Sequence, residues 1–423
     1  MVIKLIPLEE RKTTFNEIEI GFTKEEALTE ANRCLQCANP MCVQGCPANV
    51  NIPKFIKSFR DGNIEEAVEI IREKNFFPSI CGRICQHEKQ CEGNCILKNT
   101  PEGSVKIGAI ERYIGDNTQV NIKPQLNGKQ VAVIGSGPSG LSVAVNLAKA
   151  GINVKVFEVS NSFGGVIKYG VPEFRLPKKI VSKELTVLHN LGIDFEPNSK
   201  IAESKIDEVA KQFDAVFIGT GVGKARPLHI DGSELKRVSS AMKFLVNLNQ
   251  SGIVLVKPGE NVLVIGAGYV GIDAARSAIR LGTNVTCISI LDKEKSLENV
   301  SEKDYLEAEE EGVKFIFQAQ IIKLTGNEEG KVKKAFIKKD NVACEMDVDK
   351  VIYAIGQLAE KDEFKNKLKD EKGLIKVNEK YQTVIENVFA AGDCIHGPKT
   401  VIEAIDTGRK AADSIVEYLK NKK

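Results

Sequence analysis

Several things are missing from this chain, and each absence narrows what it can be. No apolar run approaches the roughly 18 residues needed to span a bilayer, so a membrane protein is not expected. Neither sign of charge dominates: 59 basic and 57 acidic residues leave a net charge of +2, without the basic surplus of a nucleic-acid binder. The first ten residues, MVIKLIPLEE, carry charges early and no small-residue cleavage pattern, so a secretory leader is not expected either. These absences point to a cytoplasmic protein with no nucleic-acid or membrane partner. A chain of 423 residues can bury a sizeable core and should hold roughly two or three domains.

What is present begins with Val131–Gly140, VAVIGSGPSG. Four apolar residues read as a buried strand, and they run into Gly135, Gly137 and Gly140, spaced GxGxxG. A small-residue helix over 141–150 should follow. This is the dinucleotide fingerprint: one glycine for the turn, one for close approach to a pyrophosphate, one for helix–strand packing. A second strand over Val154–Phe157 ends at Glu158, where an acid can hold a ribose. The fingerprint recurs as NVLVIGAGYVG, with Gly266, Gly268 and Gly271, a helix over 272–281 and a strand over 285–290. Two fingerprints argue for two dinucleotides.

Eight of the eleven cysteines lie before residue 96. Cys34, Cys37, Cys42 and Cys46 have spacings x2, x4 and x3, with Pro47 following; Cys81, Cys85, Cys91 and Cys95 have spacings x3, x5 and x3. Disulfides are rare inside cells, so this density indicates metal or redox chemistry. The first group approaches the bacterial ferredoxin run, whose fourth cysteine serves another cluster. Cys46 would then be lent to a second cluster, and a cysteine of the second group would complete the first. Zinc ribbons favour paired CxxC knuckles, and only one occurs here. Around the cysteines the pattern is helical. Thr23 and Glu26 form one expected capping box, and Asn63 and Glu66 another. Pro78, Gly82 and Gly93 are expected as punctuation between the cysteine loops.

From Gly164–Lys178, GGVIKYGVPEFRLPK, the chain resembles the small (beta) subunit of bacterial glutamate synthase. The same module occurs at the N-terminus of dihydropyrimidine dehydrogenase and in the large subunit of NADH-dependent reduced ferredoxin:NADP oxidoreductase. The likeness extends over CGRIC (81–85), CEGNC (91–95) and IGAIER (107–112). It implies two 4Fe–4S clusters, one on Cys34, Cys37, Cys42 and Cys95, the other on Cys46, Cys85, Cys91 and Glu111. Cys81 is then left over as a structural thiol. It also implies FAD held at Gly135, Gly137, Gly140, Glu158, Gly165, Gly392, Asp393, Thr400 and Val401. NADPH or NADH would sit at Gly266, Gly268, Gly271 and Ser289. The implied architecture is α/β: an α-helical iron–sulfur domain (1–127), a split FAD domain (128–227 and 374–423), and a Rossmann-like NAD(P)H domain inserted at 228–373.

The resemblance implies hydride transfer from NAD(P)H to FAD and electron delivery through the clusters to a partner. No catalytic acid–base pair is expected, and no cysteine pair follows Gly164 and Gly165, which argues against dithiol reductase chemistry. The expected partner is a separate large glutamate synthase-type subunit. Alternatives are a ferredoxin or flavin subunit of a transhydrogenase or bifurcating complex, or a structural subunit that holds cofactors without turnover. Two departures from the family stand out. Tyr269 and Val270 replace smaller, polar residues. Ser289, Ile290 and Leu291 occupy positions where an acid would select NADH, or paired arginines NADPH. NADH is therefore expected to be used at least comparably to NADPH.

Overall fold

A computed structural model describes residues 3–119, 125–298, 300–340, 342–359 and 368–422. The first unit is built of short helices: α1 (Lys24–Asn32), α2 (Ile52–Arg60), α3 (Ile64–Arg72), α4 (Pro78–Ile84) and α5 (Ile107–Asp116). Thr23 caps α1 in the expected reciprocal box with Glu26. The second expected box does not form. Asn63 makes no side-chain cap bond, because the Glu66 carboxylate instead accepts from Ser58 Oγ at 2.6 Å.

Gly82 is likewise no punctuation mark; it lies inside α4, which Pro78 opens at its first turn. A Cβ at Gly82 would lie 2.6 Å from Arg112 N, and one at Gly115 would lie 2.6 Å from Ser79 N. These glycines let α4 and α5 cross backbone to backbone, which holds Cys81, Cys85 and Glu111 in one place.

The first nucleotide unit is a five-stranded parallel sheet. Its strands are β1 (Gln130–Ile134), β2 (Asn153–Phe157), β3 (Asp194–Glu196), β4 (Ala215–Ile218) and the late strand Val388–Ala390. The order is late strand, β4, β1, β2, β3. Residues 131–134 are buried on both faces, as a central parallel strand requires. Helix α6 (Pro138–Lys149) packs on one face beside the C-terminal helix Val401–Asn421.

Between β4 and the late strand lies a second five-stranded parallel sheet, of β5 (Val238–Ser240), β6 (Asn261–Ile265), β7 (Asn284–Ile288), β8 (Lys314–Ile316) and β9 (Lys350–Tyr353). A three-stranded antiparallel sheet (319–347) covers one side of it. The two crossing segments pair with each other, Ala225 opposite Gln357 and Lys224 opposite Leu358. Leu368 and Ile375 pack with Ala132 and Val216 of the first sheet, so the chain is back in the first unit ahead of the expected return at 374. The part of the expected insertion over 360–367 lies outside the described residues. The fold class is the expected one, two parallel α/β units behind a helical one.

The three units are joined firmly. One apolar cluster runs from Phe55, Ile71 and Ile110 to Val131, Val133 and Leu141, so the helical unit and the first sheet share a core. The N-terminal segment then straps the second nucleotide unit: Arg11 pairs with Glu310 at 2.9 Å, and Glu19 with Lys303. Between the nucleotide units, Arg175 bonds both oxygens of Asp273 (2.9 and 3.1 Å) and reaches Asp304 at 3.2 Å.

Candidate functional site

Each fingerprint divides its work among its glycines in the same way. Gly135 has φ +95°, and a Cβ there would sit 2.6 Å from Gly219 O; Gly266 has φ +108° and would meet Ala354 O at 2.4 Å. Gly140 and Gly271 would collide with the carbonyls of Gly135 and Gly266 at 2.0 and 1.8 Å. At Gly137 and Gly268, by contrast, a Cβ would meet nothing within 4 Å. The protein leaves these two places open, each at the N-terminus of a 12-residue helix, α6 and α7 (Tyr269–Arg280). Free N–H groups and the helix dipole favour a pyrophosphate there.

The ribose ends differ. Glu158 follows β2 and is 5% exposed. Its Oε2 accepts from Ser136 N (3.0 Å) and Ser136 Oγ (2.5 Å), and its Oε1 accepts from Ser160 N (2.8 Å). Ser289 holds the same place after β7: the N–H groups of Glu158 and Ser289 both donate to the next strand, to Glu196 O and Ile316 O. Ser289 Oγ lies 3.0 Å from Ser296 Oγ and accepts from Leu291 N at 3.2 Å. The neighbouring lysines point to other groups. Lys293 Nζ lies 4.7 Å over the Tyr305 ring, and Lys295 pairs with Asp292 at 3.6 Å. Tyr269 opens α7 with its ring 5.9 Å from the Arg175 guanidinium, and burial pushes its hydroxyl well above the usual tyrosine range.

The other residues expected to hold flavin gather around the first fingerprint. Gly165, at φ +55°, brings its loop so close that a Cβ would be 2.8 Å from Gly137 Cα. Gly392 stands against Ser139, whose buried Oγ has no partner among the described residues. Burial pushes the Asp393 carboxyl up to about 6, opposed by the Lys399 N–H that it accepts. Thr400 caps the C-terminal helix in a capping box with Glu403, and Val401 is its first helical residue.

The cysteines sort into two adjoining pockets. Cys34, Cys37, Cys42 and Cys95 line one, with Leu35, Met41 and Ile96 at its rim. Cys46, Cys81, Cys85, Cys91 and Glu111 line the other, with Asn75 and His87. Ile52 and Ile107 contribute to both walls. Among the described residues no three such side chains approach closely enough for a single metal ion; a cubane holds its four ligands further apart. Glu111 is 8% exposed, and the one hydrogen bond its carboxylate accepts among the described residues comes from Asn75 Nδ2 at 2.7 Å. Burial pushes its carboxyl up to about 8, the Asn75 bond opposes this, and Glu184 adds to it. A buried carboxylate facing thiols, with a single amide donor, is costly unless a cation shares the space. The donor set therefore fits a cationic cluster.

Two family models divide the chain. Residues 11–122 match dihydropyrimidine dehydrogenase domain II, 4Fe-4S cluster, and residues 129–408 match pyridine nucleotide-disulphide oxidoreductase. The glutamate synthase [NADPH] small chain of Azospirillum brasilense is 34% identical, over 98% of this chain and 94% of its own length. This chain belongs to the glutamate synthase small-chain family. It is accordingly an oxidoreductase of the FAD, NAD(P) and 4Fe–4S type. Within the family's range lies the NAD-dependent dihydropyrimidine dehydrogenase subunit PreT of Escherichia coli O157:H7, 33% identical over 96% of this chain and 97% of its own. Thioredoxin reductase of Lactococcus lactis shares the fold, with TM-score 0.56 and 20% identity over 69% of this chain and 99% of that one. No helix among the described residues is long and apolar enough to cross a membrane.

Two features of the site had no signal in the sequence pattern. Asn75 is an isolated asparagine outside every motif, and Arg175 lies inside a quoted stretch that says nothing of its partners Asp273 and Asp304.

Proposed function

We propose that this chain oxidises NAD(P)H and delivers the electrons one at a time to a separate large subunit of the glutamate synthase type. FAD would accept a hydride, and the clusters would carry single electrons onward. The first fingerprint, Glu158, Gly165, Gly392, Asp393, Thr400 and Val401 would hold the FAD. The second fingerprint and Ser289 would hold the nicotinamide nucleotide. Cys34, Cys37, Cys42 and Cys95 would ligate one cluster, and Cys46, Cys85, Cys91 and Glu111 the other.

One observation carries this reading: the order of the compartments. The pocket containing Glu111 is also lined by Ile402, in the first turn of the helix that Thr400 caps. Across the shared wall of Ile52 and Ile107 lies the four-cysteine pocket. Its rim carries Leu35, Met41 and Ile96, which are 62%, 46% and 68% exposed. A continuous line thus leads from the flavin end of the molecule to an apolar patch of surface, where a partner subunit would cover it.

Anaerobic addition of NADH or NADPH tests the first half; the flavin should bleach and the clusters reduce within turnover. No bleaching with either nucleotide would leave a cofactor-holding subunit instead. Co-purification tests the second half. A large glutamate synthase-type chain is expected, and a small flavin–ferredoxin subunit in its place would move the protein to the transhydrogenase class.

A further inference from the structure

The second pocket offers more ligands than a cubane can use. Four thiols and one carboxylate line it, Cys46, Cys81, Cys85, Cys91 and Glu111, beside His87, whose ring packs on Gly108. A 4Fe–4S cluster takes four. One side chain stands between the two that compete for the last place. Asn75 is 1% exposed. Its Nδ2 donates to Glu111 Oε1 at 2.7 Å, and its Oδ1 accepts from Phe77 N at 3.1 Å and from Cys81 Sγ at 3.5 Å.

The orientation of that amide is not arbitrary. The Phe77 N–H can only donate, so the oxygen of Asn75 must face it and the NH2 must face Glu111. The donor end therefore fixes one carboxylate oxygen of Glu111. The other, Oε2, makes no hydrogen bond among the described residues, and Glu111 lines the pocket. The acceptor end holds the Cys81 sulfhydryl turned onto the amide.

We propose that Asn75 is a positioning residue that selects the fourth ligand of the second cluster, presenting Glu111 and holding Cys81 back. This rests on the ligand set of the proposed function. The choice matters because a carboxylate oxygen is harder than a thiolate, and ligand type together with hydrogen bonding around the site sets a cluster's potential.

Iron content, the EPR spectrum of the reduced protein and the midpoint potential of the second cluster test it. In Asn75→Leu, both ends of the amide are lost and Cys81 is free to replace Glu111. The variant should keep about eight irons, with an altered EPR signal and a lower potential. Cys81→Ser alone should keep about eight; Asn75→Leu combined with Cys81→Ser should fall to about four. A spectrum and potential equal to wild type in Asn75→Leu, or about eight irons in the double variant, would overturn the proposal. Should Asn75→Leu fail to fold, Asn75→Asp keeps the shape and the Phe77 contact while removing the donor to Glu111. Its second cluster must shift in potential, and an unchanged potential overturns the proposal as well. Glu111→Ala separates this from failure of the ligand set. If that variant leaves the cluster untouched, the assignment of Glu111 is wrong; if it alters the cluster while the Asn75 variants do not, only the selection is wrong.

Discussion

The nicotinamide site makes a quantitative demand. An arginine bonded to a 2′-phosphate is a charge-assisted contact worth about 1.5–3 kcal/mol. A pair of them would favour NADPH by roughly 3–6 kcal/mol, a factor of about 10² to 10⁴. Here the positions hold Ile290, 72% exposed, and Leu291, while Ser289 is occupied by Ser296 and the Leu291 N–H. Lys293 and Lys295 are drawn to Tyr305 and Asp292, and neither can offer the planar fork of an arginine. NADH and NADPH should therefore differ in kcat/KM by no more than about tenfold. Ile290→Arg costs no core, because the side chain is already in solvent, and should raise kcat/KM for NADPH about tenfold or more. Ser289→Glu copies Glu158, with the Leu291 N–H in the role of the Ser160 N–H. It should suppress NADPH about a hundredfold while sparing NADH. The assay is steady-state turnover with an artificial acceptor under anaerobic conditions. A hundredfold preference for NADPH in the wild-type protein would refute the reasoning, as would an Ile290→Arg variant with an unchanged coenzyme ratio.

The other expectations are briefer. Gly137→Val fills the open place at the first fingerprint and should yield folded protein without flavin, judged by absorbance after purification. Gly140→Val drives a side chain into Gly135 O and should yield little folded protein at all. Glu158→Ala should weaken FAD retention by about 1.5–3 kcal/mol, measured by flavin release on dilution. Cys46→Ser should cost the second cluster while leaving iron for the first, by iron and sulfide analysis. Glu184, which accepts from Ser79 N, is pushed by burial up to about 7. Its folded value lies above its unfolded one, so its proton stabilises the native state below about pH 4.5 and that stability is lost as pH rises through about 7. Glu184→Gln should therefore raise the unfolding free energy at pH 8 by up to about 3 kcal/mol, seen as a higher denaturation midpoint, and change little at pH 4.5.

The elements legible in the sequence are those whose signal is local. Val131–Ile134 and Val262–Ile265 are buried on both faces, so each reads as an unbroken apolar run. Gly140 and Gly271 are confined by Gly135 and Gly266, five residues back, whereas Gly135 and Gly266 meet Gly219 and Ala354 from distant parts of the chain and are legible through their spacing alone. The Thr23 cap forms although Lys4 takes Oε1 of Glu26, because Oε2 remains for the Thr23 N–H. At Asn63 the expected box is absent, and Oε2 of Glu66 accepts from Ser58 on the preceding helix. Gly82 was misread because a glycine that permits a helix crossing looks the same in sequence as one that ends a helix. Only the partner backbone at Arg112 tells them apart.

What could not be read comes from residues distant in the chain. Arg276 is fully buried, bonded to Glu307 at 2.7 Å and to Glu311 at 2.8 and 2.9 Å. Arg280 adds two bonds to Glu311, donates to Thr14 O at 3.0 Å, and lies 3.7 Å from the Phe174 ring centroid. In sequence these are ordinary helix charges, and burial reverses their meaning. Removing either arginine would strip Glu311 of one of its two buried counter-charges, a loss of up to about 3–5 kcal/mol. Because the group joins the N-terminal segment, the Phe174 loop and α7, it ties the N-terminal segment to the helix that opens at the second fingerprint.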